Sequence, residues 1–131
     1  MSNQINMIII EDEVLHIKLI QKAIRAIRDE FVVHTATNGR EGLALIREIA
    51  ATGERAMIIL DLNMPIMTGF EVLDVLKDDP NLRHIPLIVL TTSDNPDDMA
   101  EVKGYGYNNF IVKPPNYDTV LALIEQVKAH A

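Results

Sequence analysis

Ala56-Met57-Ile58-Ile59-Leu60-Asp61 is a short apolar run that stops abruptly on a carboxylate. Three other runs end in the same manner. Met7-Ile8-Ile9-Ile10 stops at Glu11-Asp12, Leu87-Ile88-Val89-Leu90 at Thr91-Thr92, and Phe110-Ile111-Val112 at Lys113-Pro114. Apolar runs of this length, without polar alternation, read as strands buried on both faces of a parallel sheet. In an open α/β sheet, ligands bind just beyond the carboxyl ends of the strands. Parallel neighbours would therefore bring Glu11, Asp12, Asp61, Thr91, Thr92 and Lys113 to one patch.

The intervening segments carry helical periodicity. From Val14 to Arg28, Ile17, Ile20, Ile24 and Ile27 fall at helical spacing, with Leu15, Leu19 and Ala23 widening the buried stripe. Phe31-Val32-Val33 opens a second strand, and Asn38-Gly39 reads as a turn. Leu43, Ile46, Ile49 and Ala50 mark a second helix ending near Gly53, a residue suited to a C-cap. Phe70, Val72, Leu73, Val75 and Leu76 mark a third, which Asp79-Pro80 breaks. A fourth starts at Asn95-Pro96, with Asp97-Asp98 at its positive end and only Met99 and Val102 apolar enough to bury, so it should be short and weakly held. The fifth runs from Tyr117 to about Ala129 on Val120, Leu121, Ile124 and Val127. Strands alternating with helices define a βα repeat and a parallel sheet. Five strands cannot close a (β/α)8 barrel. The flavodoxin-like order 2-1-3-4-5, with helices on both faces, places Asp12 and Asp61 side by side where the winding reverses.

The 131 residues suit a single domain over 1–131, and 48% hydrophobic with 24% charged residues is a globular mixture. A net charge of −7 argues against nucleic acid and anionic membranes as partners. No cysteine is present, which excludes disulfides and thiolate metal sites. Residues 1–6 lack the features of a signal peptide, and no run approaches the roughly 20 apolar residues of a membrane span, so the expected setting is the cytoplasm.

Three carboxylates held close together repel one another and call for a cation. Mg²⁺ suits them, since it takes oxygen ligands and pairs one or two carboxylates with a phosphate. A carboxylate can also attack phosphorus, a reaction that needs alignment and neutralisation of the phosphoryl oxygens. The Lys113 ammonium, the Thr91 hydroxyl and backbone N–H groups could contribute to that. Singly, each residue has an ordinary explanation: Glu11-Asp12-Glu13 as a helix first turn, Asp61 as a loop residue, Thr91 and Lys113 as strand ends. Their joint placement at one end of successive strands is what those explanations leave out. The four histidines (His16, His34, His84, His130) show no ligand spacing and read as surface residues. Tyr105 and Tyr107, beside Gly104 and Gly106, read either as interface anchors or as loop packing.

Glu11-Asp12, then Asp61-Leu62-Asn63-Met64-Pro65-Ile66-Met67-Thr68-Gly69, then Thr91 and Lys113-Pro114, together resemble the receiver domain of two-component response regulators, over Met7 to about Lys128. The resemblance implies a flavodoxin-like (βα)5 fold and phosphorylation of Asp61 by a partner kinase's phosphohistidine. It assigns Mg²⁺ to Asp12, Asp61 and the main-chain carbonyl of Asn63, with Glu11 acting mostly through water. Thr91 becomes the switch hydroxyl, Lys113 the phosphoryl-binding ammonium, and Pro114 the family's usual cis-proline. Phe110 matches the switch aromatic whose packing reshapes the helix four–strand five–helix five face. Lacking a hydroxyl, it would report the state by packing alone. With nothing beyond the fifth helix, the expectation is a receiver without an output domain. It would act by docking, by dimerising, or by passing its phosphoryl group to a histidine phosphotransfer protein. Lys77–Ile85 and Thr91-Thr92-Ser93 are similar to small receivers partnered with phytochrome-type histidine kinases. An Asp-nucleophile phosphohydrolase is the competing reading, although Asn63 stands where such enzymes carry a general-acid aspartate. A flavin carrier of the same fold fits less well, because Glu11-Asp12-Glu13 would repel a flavin phosphate.

Overall fold

β1 (Ile5–Ile10) is buried along its whole length, as is β3 (Ala56–Asp61), and their side chains other than Asn6 and Asp61 must therefore find apolar neighbours above or below the sheet. In a computed structural model that describes residues 4–27, 31–91 and 96–131, these strands join β2 (Phe31–Ala36), β4 (Leu87–Thr91) and β5 (Phe110–Val112) in one parallel sheet. Its order is β2-β1-β3-β4-β5, the flavodoxin-like arrangement expected. The helices α1 (Val14–Arg25), α2 (Gly39–Ala51), α3 (Gly69–Asp78), α4 (Pro96–Gly104) and α5 (Tyr117–Val127) alternate with the strands, and a short 3₁₀ turn (Lys128–His130) follows α5.

The period of two survives inside the continuous apolar runs. Met7, Ile9, Met57, Ile59, Ile88, Leu90 and Ile111 face one side, packed with Ile20, Ile24, Val120 and Ile124 of α1 and α5. Ile8, Ile10, Ile58, Leu60, Leu87 and Val89 face the other, packed with Leu43 and Ile46 of α2, Val72, Leu73 and Leu76 of α3, and Val102 of α4. This double coverage explains why no strand reads as half polar except β2 at the sheet edge.

Several boundaries differ from those expected. α1 ends at Arg25, and Arg28 lies outside the described residues, as do Thr92, Ser93 and Asn95. Leu15 does not widen the α1 stripe: it is 78% exposed, because helical spacing puts it on the face opposite Ile20, Ile24 and Ile27. Asn38-Gly39 is not a free turn but the start of α2. The Asn38 side chain accepts from Glu41 N–H at 2.8 Å, and Gly39 is the first helical residue. Gly53, at φ +76°, follows the end of α2 as expected.

α4 buries only Val102, with Met99 half-buried, and its C-terminus is closed by its own backbone. Gly106 N–H donates to Lys103 O at 2.9 Å and Tyr107 N–H to Val102 O at 3.4 Å, while Gly106 stands at φ +95°. This is a Schellman closure, and the buried Tyr107 shares the apolar cluster of Val102. A Cβ on Gly106 would meet no atom within 4 Å. Gly106→Ala should therefore cost only its backbone strain, about 1 kcal/mol in a urea melt.

Candidate functional site

Beyond the carboxyl ends of β1, β3, β4 and β5 the chain buries charge. Glu11 is 0% exposed, Asp61 1% and Thr91 1%, an unusual placement for carboxylates without a cation. That cation is the Lys113 ammonium. Its Nζ lies 2.7 Å from Glu11 Oε2 and 2.8 Å from Glu11 Oε1, so Glu11 grips it with both oxygens. It also lies 3.1 Å from Asp61 Oδ2. Lys113 N–H donates to Thr91 O at 2.7 Å, tying the two strand ends together, and the Lys113–Pro114 peptide is cis.

Backbone N–H groups hold one oxygen of each carboxylate as well. Glu13 N–H donates to Glu11 Oε1 at 3.0 Å, and Asn63 N–H donates to Asp61 Oδ1 at 3.1 Å. Asp61 Oδ2, fully buried, has the ammonium's charge beside it but no hydrogen-bond donor in line. Burial pushes the carboxyls of Glu11 and Asp61 up from their ordinary range, against the lowering effect of Lys113 and the backbone donors. Burial also works against the charge of Lys113, but its hydrogen bond to Glu11 and the charge of Asp61 outweigh it and hold the ammonium above its usual range.

Asp12, exposed at the rim, completes a set with Glu11 and Asp61 whose oxygens lie within 4.8 Å of one another. Three carboxylates against one ammonium leave negative charge in excess. The all-oxygen donor set, with Glu11 Oε2 and Asp61 Oδ2 both buried beside the ammonium but without an aligned donor, fits a hard divalent cation.

The loop from Asp61 to α3 is packed without slack. Gly69 N–H donates to Leu62 O at 3.0 Å, and a Cβ at Gly69 would collide with Asp61 O and Leu62 Cα. Met67 N–H donates to Pro65 O at 2.7 Å around Ile66, whose φ of +70° is strained for a β-branched residue. Met67 O in turn accepts from Gly39 N–H at 3.2 Å, which ties the loop to α2. Thr68 then starts α3 with a capping box to Glu71. Gly69→Ala is expected to cost about 2–3 kcal/mol in a denaturant melt, because the colliding atoms are backbone and cannot rotate away.

Phe110 is half-buried on the α2–α3–α4 side of the sheet, opposite Val89 in register. Asn63 is exposed. The histidines depart from expectation. His84 and His130 are exposed, but His34 Nε2 donates to Asn6 Oδ1 at 2.9 Å. His16 Nδ1 lies 2.7 Å from Glu13 Oε2 and 3.8 Å from Glu11 Oε1. His16 thus borders the acidic cluster, and the Glu13–His16 spacing of three at a helix start was the available signal. Of the two tyrosines, Tyr107 is core, and Tyr105 OH donates to Asp74 Oδ1 at 2.6 Å.

A buried carboxylate at the end of β3, an acidic pair after β1, a hydroxyl at the end of β4 and a lysine after β5 meet at one end of the sheet. The response regulator receiver domain family matches residues 7–125, and the chain belongs to it. The polar-differentiation response regulator DivK of Brucella anthropi is 34% identical over 125 residues, covering 95% of this chain and 94% of DivK. Response regulator Rcp1 of Synechocystis sp. is 29% identical over 128 residues, or 93% of this chain and 85% of Rcp1. The crystal structure of its Mn²⁺-bound form superposes with a TM-score of 0.81 at 27% identity, covering 92% of this chain and 91% of that one. The phosphorylated cyanobacterial phytochrome response regulator RcpA gives a TM-score of 0.86 at 33% identity, over 98% and 96% of the two chains. Among the described residues no helix is long and apolar enough to cross a membrane.

Proposed function

We propose that this chain is a single-domain response regulator, residues 1–131, working in the cytoplasm, which accepts a phosphoryl group on Asp61 and presents the result as a changed surface. The observation that carries this reading is Asp61 itself: buried at the end of β3, with Oδ2 free of any aligned donor and 3.1 Å from the Lys113 ammonium. An Asp61 carboxylate oxygen forms the new O–P bond as the P–N bond to the donor histidine breaks, and the imidazole leaves with the electron pair. Asp12, Asp61 and the main-chain carbonyl of Asn63 would hold Mg²⁺, with Glu11 acting through water. Bound there, the ion neutralises charge on the phosphoryl oxygens. Lys113 exchanges part of its grip on Glu11 for the phosphoryl group, and the Thr91 hydroxyl donates to it.

Movement of Thr91 lets Phe110 pack further inward, and the α4–β5–α5 face responds. Phenylalanine at this position reports by packing alone. The donor is a sensor histidine kinase. The likeness to RcpA, a phytochrome response regulator, supports a phytochrome-type kinase, and to the short-range resemblance of Lys77–Ile85 it adds a whole-chain one. The output is docking or homodimerisation through the switched face, or onward transfer to a histidine phosphotransfer protein. Nucleic acid and membrane are not partners of so acidic a surface. The chain catalyses only its own phosphorylation and dephosphorylation. A phosphohydrolase would need a proton donor where Asn63 stands.

Incubation with phosphoramidate and a Mg²⁺ salt, followed by intact mass, tests this. One phosphoryl group per chain, dependent on the metal, is the expected result. Rapid multiple turnover of phosphomonoesters without a trapped adduct would favour the phosphohydrolase.

A further inference from the structure

α4 belongs to the face that must move, yet among the described residues little holds it. Val102 is its one buried residue, and the Schellman closure ends it at Gly104. α3 is the opposite: capped by Thr68 and Glu71, buried at Val72, Leu73 and Leu76, and packed at Gly69 against the backbone of Asp61. Tyr105, the residue that caps α4, reaches across to this fixed helix. Its hydroxyl donates to Asp74 Oδ1 at 2.6 Å, and Lys77, one turn further along α3, places its Nζ 5.3 Å from the centre of the Tyr105 ring. We propose that the Tyr105–Asp74 hydrogen bond is an autoinhibitory contact, which holds α4 against α3 in the arrangement seen here and sets how readily the α4–β5–α5 face rearranges.

The proposal rests on the phosphoryl-switch reading of Asp61 and adds to it where resistance to switching resides. Two features favour a latch over ordinary surface decoration. The bond is short and charge-assisted, and the accepting carboxylate pushes the phenol up to about 12. It also bridges two helices that the rest of the fold holds very unequally. A contact that anchors a weakly held helix to a strongly held one changes the local opening free energy even where global stability scarcely responds.

Hydrogen exchange of amides 97–104 in wild type, Tyr105→Phe, Asp74→Ala, Asp74→Asn and the Tyr105→Phe/Asp74→Ala double variant tests the contact. Tyr105→Phe keeps the ring and the Lys77 contact, and should speed exchange about tenfold, with amides of β1 and α1 unchanged. Asp74→Ala should match it, and the double variant should be no faster than either single one. Asp74→Asn, whose amide oxygen still accepts from the hydroxyl but without the charge, should fall between wild type and Asp74→Ala. Unchanged exchange in Tyr105→Phe, or single effects that simply add in the double variant, would overturn the proposal.

A titration with beryllofluoride and Mg²⁺ then separates the two claims. If the contact is autoinhibitory, Tyr105→Phe should reach the same change in α4 exchange at several-fold lower beryllofluoride. An unshifted titration in a responsive wild type makes the bond a mere tether and sinks the inference. A wild type that does not respond at all overturns the switch reading itself.

Discussion

Asp61→Asn is expected to abolish phosphoryl incorporation from phosphoramidate while making the fold more stable. The two effects have one cause. Asp61 is 1% exposed, and its carboxyl is pushed up by burial, so the folded state holds the ionised form less favourably than the unfolded chain does. Asparagine keeps an oxygen for the Asn63 N–H that donates to Oδ1 at 3.1 Å and removes the charge, while its NH2, taking the place of Oδ2, turns the ammonium 3.1 Å away further toward Glu11. Lys113 is not orphaned, since Glu11 grips it at 2.7 and 2.8 Å. One buried cation then faces one buried anion where it had faced two. A gain of about 1 kcal/mol follows, seen as a rise in Tm of about 4 °C for a domain of this size. Mg²⁺ should raise the Tm of wild type through linkage and that of Asp61→Asn much less. Retained labelling in Asp61→Asn would place the acceptor elsewhere, and a lower Tm would mean that the carboxylate pays its way structurally.

The strand ends were legible in the residues because a sheet buried on both faces demands apolar runs, and those runs can stop only where a polar group is tolerated. Asp61, Thr91 and Lys113 announced themselves in this manner, and one topology brought them together. What was not legible depended on packing between distant segments. That Glu11 would hold Lys113 with both oxygens, across the whole width of the chain, has no local signature. Gly69 could be read as part of the turn into α3, but its reason, a backbone oxygen of Asp61 against its Cα, exists only in three dimensions. The positive φ of Ile66 runs against every propensity rule for a β-branched residue. Leu15 is apolar but out of phase: helical spacing sets it on the face opposite Ile20, Ile24 and Ile27, so its exposure was legible in the spacing itself. His16 carries its signal in the spacing to its acidic neighbour Glu13, not in any spacing among the histidines.

Lys113→Met should show what the buried ammonium contributes. The methionine keeps most of the apolar stem and removes the charge, leaving Glu11 and Asp61 facing each other at 0% and 1% exposure. Breaking a buried pair in this manner costs about 3 kcal/mol at neutral pH, and a Tm lower by about 10 °C is the expected reading. The loss should depend on pH in a defined direction. Both carboxyls already have folded-state pKa values raised by burial, and without the ammonium's opposing pull they rise further. The folded state then binds more protons than the unfolded chain between the ordinary carboxylate range and those raised values. Stability is therefore fullest below the ordinary carboxylate range and drains away as pH rises through the folded-state values. Lys113→Met should accordingly recover most of its deficit on acidification from neutral pH toward the ordinary carboxylate range, whereas wild type should gain less over the same interval. Mg²⁺ offers an independent route, because a divalent ion among Glu11, Asp12 and Asp61 supplies the missing positive charge. Chemical denaturation across pH, with and without Mg²⁺, separates the two. A deficit that neither protons nor Mg²⁺ reduce would show that Lys113 matters for packing rather than for charge, and would remove the electrostatic basis for assigning it to the phosphoryl group.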